Sequence, residues 1–297
     1  MASLPPPVRP GDRVGVAALS GPVDPEKLER GLDALRGLGF EPVLAENLSS
    51  RVGIFAGSDE ERLEAFHELA SDPDLAAIVF ARGGSGLLRV LPRVDWELLG
   101  ERPRAYVGYS DLTPFLLEVV RRLDLVSFHG PMVAADLARG LTPRERESFL
   151  RALEGDYPVS VPVPCWIHEG EAEGRLAGGC LSLLSSVQGT PHAPDLDGTI
   201  LFLEDVEEPD YRVDRMLTHL ELSGSLSGIR GVVIGQLGGR WDEGCPEPWQ
   251  LDSIPAGIPV ASGLAAGHFA PNLTLPLGLG AVLDSRSGEV RFEGTDP

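Results

Sequence analysis

Over its first 130 residues the chain alternates short apolar runs with stretches of helical spacing. That alternation restricts it to an α/β fold with a mainly parallel sheet. Residues 13–19 form an apolar run between Gly11-Asp12 and Ser20-Gly21-Pro22, the pattern of a buried strand. Asp24-Pro25 then opens a helix as N-cap and first residue, with Leu28, Leu32, Leu35 and Leu38 on one face and Gly39 as its stop. Residues 40–44 read as a second strand. Ser58 and Glu61 make a capping box for a helix that carries Leu63, Phe66 and Leu69. A third strand at 75–81 runs straight into Arg82-Gly83-Gly84-Ser85-Gly86, and a fourth at 105–109 leads into a helix opened by Pro114. Residues 125–128 continue the series.

In sheets of this kind ligands collect beyond the carboxyl ends of the strands, where the glycine turn and the stretch Gly108-Tyr109-Ser110-Asp111 both fall. Ser110 sits where a strand gives way to a helix, so its hydroxyl is pushed out of the sheet edge beside unpaired helix N–H groups. That geometry suits a nucleophile, although an isolated serine there is also an ordinary helix cap. Neither G-x-G-x-x-G nor G-x-x-x-x-G-K-[ST] is present, so the glycines are better read as exposing backbone N–H groups near Ser110 than as a phosphate cradle.

Thr142 and Glu145 form a second capping box, and the charged helix they start ends near Gly155. Composition then shifts: Pro158, Pro162 and Pro164 alternate with valines and give way to glutamates. The expected division is a nucleophile-bearing domain over 1–155, a linker over 156–173 and a second domain over 174–297. The second domain begins with a glycine turn entering a small apolar helix near Leu181. A strand at 199–203 ends on Glu204-Asp205, a helix follows at 211–222, and further strands are expected at 231–237, 258–261 and 279–292, the last with a hairpin turn at 285–288. An acidic strand end is commonly a solvated loop, but a carboxylate there is also placed to orient a histidine.

A formal charge of −20 argues against binding nucleic acid or an anionic membrane, both of which need a basic footprint. Cys165, Cys180 and Cys245 are odd in number and lack C-x-x-C spacing, so reduced thiols in the cytoplasm are the simplest expectation. No signal-peptide pattern or bilayer-length apolar run is evident. Among the histidines, His67 and His219 lie in helical patterns, His168 in the expected linker and His192 in a proline-rich loop. His129 and His268 both follow strands near the ligand-binding edge, and spacing alone does not choose between them. Nothing in the sequence has metal-ligand spacing, and no cofactor is expected.

Six motifs in order span nearly the whole chain: Arg82-Gly83-Gly84-Ser85-Gly86, Gly108-Tyr109-Ser110-Asp111, His129-Gly130-Pro131-Met132, Gly178-Gly179-Cys180-Leu181-Ser182, Glu204-Asp205 and Gly267-His268. Together they resemble the LD-carboxypeptidase family of serine peptidases, which includes murein tetrapeptide carboxypeptidases and microcin C immunity hydrolases. The resemblance implies an N-terminal α/β domain and a C-terminal β-rich α/β domain. It implies a catalytic Ser110, Glu204 and His268, with the backbone N–H groups of Gly84 and Asp111 as oxyanion hole. The implied substrate is a small peptidoglycan-derived tetrapeptide that loses its terminal D-alanine, and a cytoplasmic homodimer is expected. Arg82, Ser85 and His129 are candidates for contacting substrate. Where the family usually carries an aromatic residue and an asparagine, this chain has Ser85 and Cys180. A hydrolase of peptidyl or aminoacyl adenylates with the same triad, and a non-enzymatic ligand-binding α/β protein, are the competing readings. An α/β-hydrolase is disfavoured because Leu112 stands where G-x-S-x-G requires glycine.

Overall fold

The computed structural model describes residues 1–206, 208–237, 245 and 251–294. In the front half, β1 (Arg13–Ala17), β2 (Glu41–Leu44), β3 (Leu75–Phe80), β4 (Ala105–Gly108) and β5 (Ser127–His129) form a parallel sheet in the order β2-β1-β3-β4-β5. The strands β1, β3, β4 and β5 are buried on both faces because helices cover both, whereas the edge strand β2 is partly exposed. Those helices are α1 (Pro25–Gly37), α2 (Asp59–Ser71), α3 (Leu87–Val90), α4 (Trp96–Glu101) and α5 (Thr113–Leu123), followed by α6 (Pro143–Glu154). Their starts follow the capping chemistry read from sequence. Asp24 accepts the Lys27 amide at 3.0 Å, and both capping boxes, Ser58 with Glu61 and Thr142 with Glu145, close in both directions. Phe66, Phe80 and Tyr106 pack edge-on or stacked around Phe115, joining α2, β3, β4 and α5 in one core.

The rest of the chain supplies β6 (Val159–Pro162), β7 (Cys165–His168), β8 (Glu171–Cys180), α7 (Leu181–Ser186), β9 (Thr199–Glu204), α8 (Asp210–Leu222), β10 (Gly231–Ile234), β11 (Val260–Ser262), β12 (Leu275–Leu277), β13 (Gly280–Asp284) and β14 (Glu289–Phe292). Eight of these strands make a second sheet in the order β6-β14-β13-β8-β9-β10-β11-β7. Its centre, β8 to β11, is parallel, and the antiparallel strands lie outside it.

Four expectations are corrected. Residues 156–173 are not a linker, because they contain β6 and β7, the two edge strands of the second sheet; edges tolerate the prolines that suggested a break. The division near residue 155 is crossed again by β12, which leaves the back half to pair antiparallel with β5 of the first sheet. The glycine run 174–180 is not a turn but the end of the long strand β8. Finally, Cys165 and Cys245 form a disulfide with Cα atoms 5.6 Å apart, and only Cys180 is a free thiol. A pairing across 80 residues of sequence leaves no local signal, since it depends on where the edge strand β7 lies.

The glycines of β8 are required by close approach. A Cβ on Gly178 would stand 1.9 Å from the Phe202 carbonyl oxygen, and one on Gly179 would press on Thr113 of the first domain at 2.8 Å. Gly178→Ala is therefore expected to cost at least the ~1–3 kcal/mol typical of overpacking, read as a lower midpoint in denaturant unfolding. A midpoint equal to that of the unaltered protein would contradict this packing.

Candidate active site

Ser110 stands at the turn from β4 into α5 with φ 62°, a left-handed conformation that costs a non-glycine residue about 1–3 kcal/mol. Gly83 lies against it: a Cβ there would be 2.8 Å from Ser110 Cβ and 3.0 Å from its Oγ, so only glycine leaves the hydroxyl room. The Asp111 carboxylate accepts the Leu87 amide at 2.9 Å, which locks the serine turn to the helix that follows the glycine turn. The amides of Gly84 and Asp111 have no hydrogen-bond acceptor among the described residues.

The second sheet supplies the other groups. Glu204 ends β9 fully buried, and His268 rides on the loop between β11 and β12. His268 Nδ1 and Glu204 Oε2 are 2.6 Å apart. Burial, with one carboxylate oxygen left unpartnered among the described residues, raises the Glu204 pKa, although the histidine bond acts against it. For His268, burial disfavours the imidazolium, but the Glu204 carboxylate outweighs it, and the net shift is upward from 6.5. Cys180, opposite Glu204 in the sheet, is a buried thiol whose pKa is raised by burial and by the charges of Glu204 and Asp205, so it has no thiolate character.

The histidine loop is held from both domains. Gln236 Oε1 accepts the Phe269 amide at 2.8 Å, and Asn272 Oδ1 accepts the Gly267 amide at 3.1 Å. The Asn272 amide in turn donates to Glu145 of α6 at 2.8 Å. Glu145 is fully buried and also accepts from Arg139 at 2.7 Å, so a capping carboxylate of the first domain reaches the histidine loop of the second. The sequence reveals Glu145 only as a capping residue; its second contact spans 127 positions.

Ser110 and His268 wall the same cavity of about 600 Å³, together with Tyr109, Arg82, Gly83 and Gly84. No hydrogen bond joins the serine to the histidine among those of the described residues; catalytic hydrogen bonds of this kind often tighten only in the complex with substrate. Arg82 lines this cavity, but its guanidinium donates to the carbonyls of Gly83 at 3.1 Å and Pro22 at 3.2 Å and so braces the glycine turn. Two expected contact residues lie elsewhere. Ser85 is exposed and off the cavity wall. His129 is buried behind the wall between the Tyr109 and Phe202 rings, because the last residue of β5 points into the interface of the two sheets. Burial pushes its pKa down to about 3. Lys27, Ser49, Ser50 and Arg51 line the cavity and were not singled out by sequence reasoning.

The fold and the family it matches define a serine peptidase. Residues 14–130 match the LD-carboxypeptidase N-terminal domain and residues 173–283 the LD-carboxypeptidase C-terminal domain; the chain belongs to the LD-carboxypeptidase family. It is 31% identical over 293 residues to the murein tetrapeptide carboxypeptidase of Pseudomonas aeruginosa, covering 92% of this chain and 93% of that one. Among solved structures it is similar to the muramoyltetrapeptide carboxypeptidase of Oxalobacter formigenes, at 33% identity and TM-score 0.83, covering 96% of this chain and 99% of that one. It is also similar to an MccF-like protein of Bacillus anthracis, at 26% identity and TM-score 0.88, covering 99% and 100%.

These environments separate the two histidines in titration. By NMR the His268 ring is expected to protonate above pH 6.5, while His129 stays neutral until the pH approaches about 3. Glu204→Gln removes the carboxylate that raises His268 most and leaves burial opposed only by the charges of Asp205 and Asp136, so its midpoint should drop. An unmoved midpoint would contradict the pairing.

Proposed function

We propose that the protein is a serine carboxypeptidase that cleaves an L,D-peptide bond and releases the terminal D-alanine of a murein tetrapeptide. The observation that carries this reading is the 2.6 Å contact of buried Glu204 with His268, which lines the cavity that also presents Ser110. With Glu204 ionised, Nδ1 carries the proton it donates to the carboxylate, and the Nε2 lone pair remains for the base.

Ser110 Oγ attacks the scissile carbonyl as Nε2 takes its proton. The negative charge on the carbonyl oxygen is met by the amides of Gly84 and Asp111. The imidazolium then gives its proton to the amine of the departing D-alanine, leaving an acyl-enzyme. Water, deprotonated by the same imidazole, hydrolyses that ester and restores Ser110. Glu204 fixes the tautomer and stabilises the imidazolium. Losing one oxyanion donor of this kind typically costs roughly 2.7–4 kcal/mol of barrier.

The similarity to an MccF-like structure supports a second reading, hydrolysis of an aminoacyl or peptidyl adenylate by the same residues. Mass spectrometry of both substrate classes separates the two. The expected result is loss of D-alanine from murein tetrapeptide, with Ser110→Ala slower by about 10³-fold or more and its circular dichroism unchanged. Turnover of the adenylate alone would favour the second reading, and undiminished turnover by Ser110→Ala would remove the serine from either. Because the base must be neutral and its pKa is raised, kcat/KM should fall on the acid side with a midpoint above 6.5.

A further inference from the structure

Lys27 is the single lysine among the 25 basic side chains of the sequence, every other one being arginine, and it lines the cavity that holds Ser110 and His268. It lies in the first turn of α1, which starts at Pro25. Arg51 lines the same cavity, with Ser49 and Ser50 beside it in sequence. Neither cation is within ion-pair distance of a carboxylate among the described residues, and neither side chain is hydrogen-bonded there. Asp24 also lines the cavity; its carboxylate caps α1 and its charge is felt by Lys27 without an ion-pair contact. In a chain of net charge −20, a cavity lined by Lys27, Arg51 and Arg82 against the single carboxylate of Asp24 carries a local field opposite to that of the molecule as a whole.

Resting on the carboxypeptidase reading above, we infer that Lys27, assisted by Arg51, binds the free C-terminal carboxylate of the peptide and thereby restricts cleavage to the terminal residue. That carboxylate is attached to the same carbon as the nitrogen that departs, so it must be accommodated within the cavity that holds the nucleophile. Arg82 is less suited to this task because its guanidinium already serves two backbone carbonyls. A lysine ammonium is a compact charge on a flexible stem, able to follow a small carboxylate at a site open to water.

The single lysine permits a direct test on the intact protein. An acetylating N-hydroxysuccinimide ester can reach only Lys27 and the amino terminus as amines, and peptide mass mapping separates the two. Binding and protection are measured in the Ser110→Ala protein, so that they do not depend on turnover. A murein tetrapeptide with a free carboxylate is expected to slow acetylation of Lys27, and the same peptide as a C-terminal amide is expected not to. In the enzyme with Ser110 intact, Lys27→Met and Lys27→Met/Arg51→Met should reduce the acid-over-amide preference in kcat/KM by about tenfold or more, mainly through KM, as expected for one charged hydrogen bond. Lys27 is exposed and outside the core, so these variants should fold, which unfolding midpoints check. Equal protection by acid and amide, or a preference retained in the double variant, overturns the inference. Failure of the unaltered enzyme to release D-alanine instead strikes the carboxypeptidase reading, while acid-selective protection of Lys27 would still support a carboxylate site.

Discussion

The site depends on the seam between the carboxyl edges of two sheets. Neither sheet holds the proposed triad alone: Ser110 leaves β4 of the first, Glu204 ends β9 of the second, and His268 rides on the loop from β11 of the second to β12 of the first. The seam is closed by backbone amides of one domain donating to side chains of the other, Cys180 to Thr113 at 3.1 Å, Asn272 to Glu145 at 2.8 Å and Thr274 to Ser148 at 3.1 Å. Each such bond contributes only about 0.5–1.5 kcal/mol net. Their importance is geometric, because Gly179 lets β8 approach Thr113 and the crossing strand β12 anchors the far end of the histidine loop on β5. A chain that folded its halves independently would leave the imidazole free to wander by more than proton transfer tolerates.

Electrostatics at the seam are layered. Deepest lies Glu204, fully buried, where its charge is tolerable only beside His268; the imidazole is correspondingly easier to protonate than a free one. Behind it His129 is locked neutral between aromatic rings and acts as packing. Toward solvent the wall changes sign with Lys27 and Arg51. On the proposed mechanism, an anionic peptide would thus meet cations at the mouth and a neutral base at the nucleophile.

Much of this was legible in the sequence because it is local. Strand and helix alternation, the caps at Asp24, Ser58 and Thr142, and the 285–288 turn all follow from residues within a few positions of one another. Ser110 could be placed on a strand-to-helix turn from pattern alone, whereas the choice of His268 over His129 needed six ordered motifs. What stayed hidden depends on distant neighbours. Glycines 178 and 179 look like a turn until β9 and Thr113 are beside them. Prolines 158, 162 and 164 look like a linker until they are seen to precede, end and join the edge strands β6 and β7. His129 resembles a pocket residue until Phe202 covers it, and Lys27 sits on an ordinary amphipathic helix whose first turn gives no sign of the cavity it faces.

The central claim is that groups from two sheets act on one reacting atom, and it is tested most directly by a serine-directed fluorophosphonate followed by peptide mass mapping. A single adduct is expected on Ser110, formed at a rate that collapses in His268→Ala and weakens in Glu204→Gln. Labelling at another residue, or labelling of Ser110 that proceeds as fast without His268, would contradict the account.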